Sequence, residues 1–385
     1  MELPLDHPQR KEGLVCKLTR SLYGLRQASR QWFTKFCTTL LSHGFTQCKQ
    51  DYSLFALGEG DATTFLIVYV DDIIIAAPKQ EMVDNVKLKL QSIFKLKILG
   101  DLKFFLGLEL AHSKAGIALT KRKYALSLLE ETGYLGCKPA TTPMDANMKL
   151  RADEDDPVPD PSHYRRLIGR LMYLTISRPD ITFAVVKLAQ FMSGPRLPHL
   201  NATHQVIRYL KAASGQGLLF SSKSKFNLTM YTDADWGGCL DTRRSTTGYC
   251  TFLGDSLILW KSKKQDVVSR SSTEAEYRAL ANAACEVLSL MALLKFMHIE
   301  VHSAMVFCDN ISAIQMSTNP TLHERSKHIK IDYHFIREKV ASGIIKLVHV
   351  PSKHQLADIL TKALPAPQFQ YLMAKLGTYN MYAPT

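Results

Sequence analysis

Four acidic residues in the C-terminal part of the chain stand where a carboxylate is expensive unless it is used: Asp233, Glu276, Asp309 and Asp358. Asp233 ends the strand-like run Leu228–Thr232, and Asp309 ends a second such run, Met305–Cys308. Glu276 falls in the first turn of a helix predicted from about 273 to 297, and Asp358 opens a late predicted helix. Carboxylates gathered from two strand ends and two helix starts repel one another unless hard cations lie between them. Such a donor set suits two-metal phosphodiester chemistry. Two neighbours compete for these roles: Glu274 with Glu276, which helical spacing does not separate, and Asp235 with Asp233.

The elements that must position these acids are legible as patterns. From 226 onward the chain reads as strands at 226–232, 247–254, 257–262, 265–270, 304–309 and 344–350, the later ones alternating with helices. Gly254-Asp255 suits a hairpin turn. Earlier, 29–44 and 80–97 carry apolar residues at helical spacing, and 120–136 reads as a helix ended near Gly133. Residues 63–76 hold two apolar β-branched runs joined by Asp71 and Asp72, a hairpin with a costly acidic pair. Alternation along a strand predicts that one of the pair faces a polar site while the other lies at the turn. Five prolines and an acidic run mark 139–163 as a linker, and 163–213 reads as all helix.

The 385 residues suit two or three domains, and a hydrophobic content of 46% supports real cores. The formal charge of +13 is spread along the chain rather than held in one tail, which suits a long polyanionic partner. The eight cysteines form no C-x-x-C pair and read as reduced core residues of an intracellular protein. No window reaches 18 uncharged apolar residues, so no membrane contact is expected.

Several phrases resemble the Pol polyprotein of Ty1/copia-type retrotransposons. Tyr69-Val70-Asp71-Asp72 between apolar runs resembles a reverse transcriptase palm hairpin. Ser21 to Trp32 resembles the segment supporting template and nucleotide, with Ser29 where the family usually has Pro. Leu99 to Glu109 resembles the primer grip, and Tyr164 to Phe183 the connection segment. Tyr231 to Trp236, Arg243 to Tyr249, Ser271 to Ala279, Cys308-Asp309-Asn310, Lys327-His328-Ile329 and Ala357 to Lys362 resemble, in order, the RNase H domain.

The resemblance implies an α+β chain: a truncated reverse transcriptase palm and thumb (1–138), the linker (139–163), a helical connection (164–225) and an RNase H-like mixed α/β domain (226–376). It assigns Asp233, Glu276, Asp309 and Asp358 to two Mg²⁺ ions, with Mn²⁺ as a substitute. It favours Glu276 over Glu274 through the phrase Glu-Tyr-Arg-Ala, and gives Asp71 and Asp72 to the polymerase site, with Asp71 also a metal ligand there. Gln27, Arg243, Arg244, Ser245, His328 and His354 are the candidates for nucleic-acid contact. The implied partners are an RNA–DNA hybrid, an RNA template with a DNA primer, and the rest of Pol. The implied setting is a cytoplasmic virus-like particle, with the nucleus as a second location.

Glu2-Leu3-Pro4 resembles the stretch just after the family's first palm aspartate. The expectation is therefore that hybrid ribonuclease activity survives in this chain while polymerisation by it alone is lost. The alternative is a non-catalytic nucleic-acid-binding remnant or a pseudogene product of a copia-like element.

Overall fold

The structure, a computed structural model, describes residues 6–9, 13, 15, 17–19, 22, 24–319 and 330–380. The chain divides into two compact units, one of residues 1–99 with 296–298, the other of 100–295 and 299–385. Residues 100–138 thus belong with the part that follows them, not with the palm-like part.

The first unit is a four-stranded antiparallel sheet with two helices. Helix α1 (Ala28–Ser42) precedes β1 (Thr46–Gln47), β2 (Leu54–Leu57), β3 (Thr64–Tyr69) and β4 (Asp72–Ala76), and α2 (Gln80–Ile93) follows. The strands pair in sequence order. Phe36 and Leu40 of α1, Val86 and Leu90 of α2, and Phe55, Leu66 and Val68 of the sheet make the core. Trp32 and Phe33 pack against it, Trp32 stacking on Phe36 with ring centres 5.0 Å apart.

The second unit holds two sheets and a helical layer. A hairpin-rich segment supplies β5 (Phe104–Phe105), β6 (Leu108–Ser113) and β7 (Gly116–Thr120), then α3 (Arg122–Glu131). Residues 139–163 do not hang free: Met144 and Leu150 are apolar enough to be drawn into the core under the helices. Three helices follow, α4 (Pro161–Leu174), α5 (Pro179–Ala189) and α6 (Leu197–Ala212), then β8 (Gln216–Ser221). Arg178 and Asp180 form a fully buried ion pair at the start of α5. Tyr209 donates to Asp180 at 2.8 Å and Arg178 donates to the Ala213 carbonyl at 2.8 Å, so the pair is satisfied on all sides.

The second sheet is mixed. Strands β9 (Leu228–Asp235), β10 (Thr246–Leu253) and β11 (Ser256–Lys264) form an antiparallel meander; β12 (Ala304–Cys308) and β13 (Ile345–His349) add in parallel, giving the order β11-β10-β9-β12-β13. Helices α7 (Ser272–Phe296), α8 (Ile311–Thr318) and α9 (Lys330–Ala341) belong to this part. Leu228, Met230 and Tyr249 share one core with α7. Cys250 and Phe252, of opposite parity, share another with α4–α6. The sheet is therefore covered on both faces, within an α+β chain. By length and composition α7 alone among the described helices is apolar enough to cross a membrane, but its face from Tyr277 to Leu294 is spent on this core.

Two readings of the sequence change here. Residues 265–270 are not a strand: the Gln265 side chain is buried and donates to Thr247 Oγ1 and the Ala275 carbonyl, which turns the chain into α7. Asp358 opens no long helix but sits in a 3-10 turn, Leu356–Leu360. Pro365 disfavours helix in the residue before it and starts a separate α10 (Ala366–Lys375). The last strand, β14 (Thr378–Asn380), pairs with β8, which itself pairs with β7.

Candidate metal centre

Adjacent parallel strands bring two of the four acids together. In the β9–β12 register Tyr231 faces Phe307, and Asp233 and Asp309 each follow two residues later in strands running the same way. Both lie at the carboxyl ends of their strands, where open α/β sheets place their ligands. Asp233 is buried and Asp309 half-buried. Asn310 then caps α8 by accepting from Ala313 N at 2.9 Å, and Ser352 donates to Asp309 Oδ2 at 2.8 Å.

Helix α7 delivers Glu276 from one face of the sheet. Its Oε1 accepts from Ala234 N at 3.1 Å, so the carboxylate lies against the backbone next to Asp233. Glu274 does different work. It takes Arg270 N at 3.0 Å, pairs with Arg278 at 3.0 Å, and donates its own amide to Ser271 Oγ, a helix-start arrangement of capping-box type. The geometry thus separates two glutamates that spacing left open.

The 3-10 turn delivers Asp358 from the other face. Gln355, fully buried, donates to the Thr232 carbonyl at 2.9 Å and caps the turn by accepting from Ala357 N. Thr361 donates to Asp233 Oδ2. Lys362 places its ammonium 2.9 Å from Asp358 Oδ1 and 3.5 Å from Asp233 Oδ2. Gln355, Thr361 and Lys362 touch this group of residues without having been singled out by pattern reading, although Thr361 and Lys362 belong to a phrase it quoted.

Charge crowding marks the centre. Burial, then the Asp233 charge, pushes the Glu276 carboxyl well above the usual carboxylate range, with Asp309 adding to it. Burial, again followed by Asp233, pushes Asp358 up to about 7. Burial works against the Lys362 ammonium, but the charges of Asp233 and Asp358 outweigh it and hold the proton on. Burial also raises the Asp235 carboxyl. An acidic, oxygen-rich cluster fits hard divalent cations, whose binding would supply the missing positive charge. Asp233, Glu276, Asp309 and Asp358 would hold them.

The other residues singled out from sequence lie as follows. Asp71 and Asp72 are both exposed at the β3–β4 turn, so neither faces a buried polar site; the two-residue turn itself consists of Val70 and Asp71. Val70 there has φ 48, a strained value for a β-branched residue. No third potential metal-ligating side chain joins the pair among the described residues. Gln27 is exposed just before α1. Arg243 and Arg244 are exposed before β10, Arg243 with φ 53. Ser245 corrects the expectation of nucleic-acid contact: it is fully buried, its hydroxyl accepts from Gly237 N at 3.1 Å, and it shapes the loop from inside. His354 is half-buried and hydrogen-bonds through Nδ1 with the Tyr371 hydroxyl. His328 lies outside the described residues. Of the lysines near Trp260, Lys261 pairs with Glu286 and Lys263 with Asp266.

The chain is similar in sequence to proteins of one known family. The family model for reverse transcriptase (RNA-dependent DNA polymerase) matches residues 4–146. The retrovirus-related Pol polyprotein from transposon RE2 of Arabidopsis thaliana is 42% identical over 95% of this chain, which spans 25% of that relative's length. The putative transposon Ty5-1 protein of Saccharomyces cerevisiae is 32% identical over 72% of this chain and is itself 92% covered. A solved foamy viral protease-reverse transcriptase in complex with RNA/DNA hybrid aligns with a TM-score of 0.49 at 12% identity, over 87% of this chain and 39% of that one. The chain spans about a quarter of the full-length transposon polyproteins it matches. At 42% identity over 95% of its length to one such polyprotein, the chain belongs to the Pol polyprotein family of copia-like retrotransposons.

Proposed function

We propose that this chain hydrolyses the RNA strand of RNA–DNA hybrids at the Asp233–Glu276–Asp309–Asp358 centre, with Mg²⁺ as cofactor. The observation that carries the reading is the convergence of these acids at adjacent strand ends, with Glu276 and Asp358 reaching in from opposite faces of one sheet. Bound divalent cations supply Lewis-acid activation of water and of phosphoryl oxygens. The protein's part is to hold the donors. Gln355 and Thr361 tie the Asp358 turn to β9, Ala234 N orients Glu276, and Ser352 orients Asp309. Lys362 tempers repulsion between Asp233 and Asp358 until cations bind.

Substrate choice follows from groups outside the centre. A hybrid carries phosphates along both strands and 2′-hydroxyls on one. Arg243 and Arg244, exposed in the loop that β9 and β10 share, would take phosphate oxygens. In this reading the exposed Asp71–Asp72 pair takes no part in hydrolysis.

Cleavage of a labelled hybrid by the whole chain with Mg²⁺ tests the proposal. Asp309→Asn should lower the rate by on the order of a hundredfold or more, as for loss of a preorganised charged group at a reacting centre. Asp71→Asn should leave it unchanged. A wild-type chain that binds hybrid and leaves it uncut would favour the non-catalytic remnant.

A further inference from the structure

We propose that Cys308, with Glu276 and Asp309, forms a binding site for a thiophilic divalent cation of the zinc class, overlapping the carboxylate centre. The three residues each offer a donor atom, and these atoms all lie within 4.8 Å of one another. Cys308 Sγ is 3.8 Å from Glu276 Oε2. In a tetrahedral zinc site, metal–sulfur bonds of about 2.3 Å and metal–oxygen bonds of about 2.0–2.2 Å put neighbouring donors roughly 3.5 Å apart. The Cys308–Glu276 spacing therefore needs to close by only a few tenths of an ångström, while the Asp309 oxygen, within 4.8 Å of both, has further to come in.

The thiol belongs to the core beneath α7, but it lies at that core's edge beside two acids. Cys308 ends β12 one residue before Asp309, fully buried, and its sulfur accepts from Asn310 N at 3.4 Å. The chain turns around the sulfur into α8, so the donor is fixed by backbone rather than by a mobile rotamer. Asp309 is half-exposed and gives a cation its way in. Oxygen-only centres favour magnesium; one thiolate shifts preference towards softer ions, which outrank magnesium for sulfur. Binding forms the sulfur–metal bond and releases the thiol proton to solvent. An ion held this way would occupy two carboxylates assigned above to Mg²⁺. That inhibitory consequence rests on the ribonuclease reading; the binding does not.

Titration of the metal-free whole chain with Cd²⁺, followed by the ultraviolet charge-transfer absorption of a cadmium–thiolate bond, tests the site without reference to activity. Wild type should show a tight phase that Cys308→Ser lacks. Asp309→Asn should keep the amplitude of that phase but weaken it by on the order of tenfold or more, since even outer partners of metal ligands cost that much. Excess Mg²⁺ should push the same phase to higher Cd²⁺ concentration and leave absorption from Cys37, Cys137 and Cys285 unmoved. A folded Cys308→Ser chain with the wild-type titration would overturn the proposal. So would a tight phase indifferent to both Asp309→Asn and Mg²⁺, a comparison that holds even if Cys308→Ser fails to fold.

Discussion

Gly248 stands directly opposite Asp233 in the antiparallel β9–β10 register, and on its vacant side lies the turn that carries Asp358. A Cβ built on Gly248 would meet Thr361 Cγ2 at 2.5 Å, Leu360 Cβ at 2.9 Å and the Leu360 carbonyl carbon at 3.1 Å. The hydrogen atom at this position is what lets the turn lie flat on the sheet. Gly248→Ala should force the turn away from β9 and cost about 1–3 kcal/mol, the usual range for overpacking. Thermal melts should show a folded but less stable chain. Hybrid cleavage should fall much further than stability does, because Asp358 and Thr361 move together.

The raised carboxyls of Asp358 and Glu276 make stability depend on pH and on metal in a defined direction. Asp358 titrates near 7 when folded and near 3.9 in an unfolded chain. Between those values the folded state binds more protons than the unfolded one, so stability falls as pH rises from about 4 to about 7. Glu276 acts in the same sense. Melting in a chelating buffer should therefore show a Tm that declines over this window. Added Mg²⁺ should restore it, with an apparent affinity that increases with pH because protons compete for the same oxygens. A Tm that rises through the window in the chelating buffer would contradict the assignment of these shifts.

Lys362 supplies the cluster's own positive charge. Lys362→Met should lower stability without metal by about 1 kcal/mol, a figure kept small because the side chain is 38% exposed and solvent screens it. The loss should largely disappear with Mg²⁺ present. Paired melts with and without Mg²⁺ measure that difference, and an equal loss in both would show a packing role instead.

Arg178→Ala should be the most damaging of these changes to the fold. It leaves Asp180 charged, fully buried and short of its main partner. Breaking one side of such a pair costs about 3–5 kcal/mol. Urea unfolding should show that loss, and metal should not recover it, since the pair lies under the connection helices rather than among the centre's donors.

Reverse transcriptase activity supplies a contrasting expectation. Asp71 and Asp72 stand exposed on a hairpin tip, and no third ligand accompanies them among the described residues. Primer extension by this chain alone, with RNA template, Mg²⁺ and deoxynucleotides, should give no product, and steady extension would refute that expectation.

Local patterns made the helices from 161 to 212, the β3–β4 hairpin and the β9–β11 meander readable, because each follows a short period or a turn signal. What stayed hidden depends on contacts distant in sequence. Glu274 and Glu276 are alike in spacing; only Arg270, Arg278 and the Ala234 amide tell them apart. Ser245 looked like a loop residue, yet its hydroxyl is consumed by Gly237 N. The 3-10 turn is set by Gln355 reaching Thr232 across more than a hundred residues, which no periodicity records. The need for glycine at 248 comes from the turn above it, which no local pattern records.

The pairing of β14 with β8 has a practical corollary for anyone trimming the gene. Thr378–Asn380 closes a ribbon whose remaining strands come from 104–120 and 216–221, and Gln216 Nε2 donates to Thr378 Oγ1 at 2.8 Å. A fragment starting near 226 discards the strand on which the C-terminal one lies, and a fragment stopping before 378 strips that strand's outer edge bare. The part from residue 226 onward is thus buckled at both ends to the segment from residue 100, and expression boundaries at 100 and beyond 380 are the ones that keep the buckle fastened.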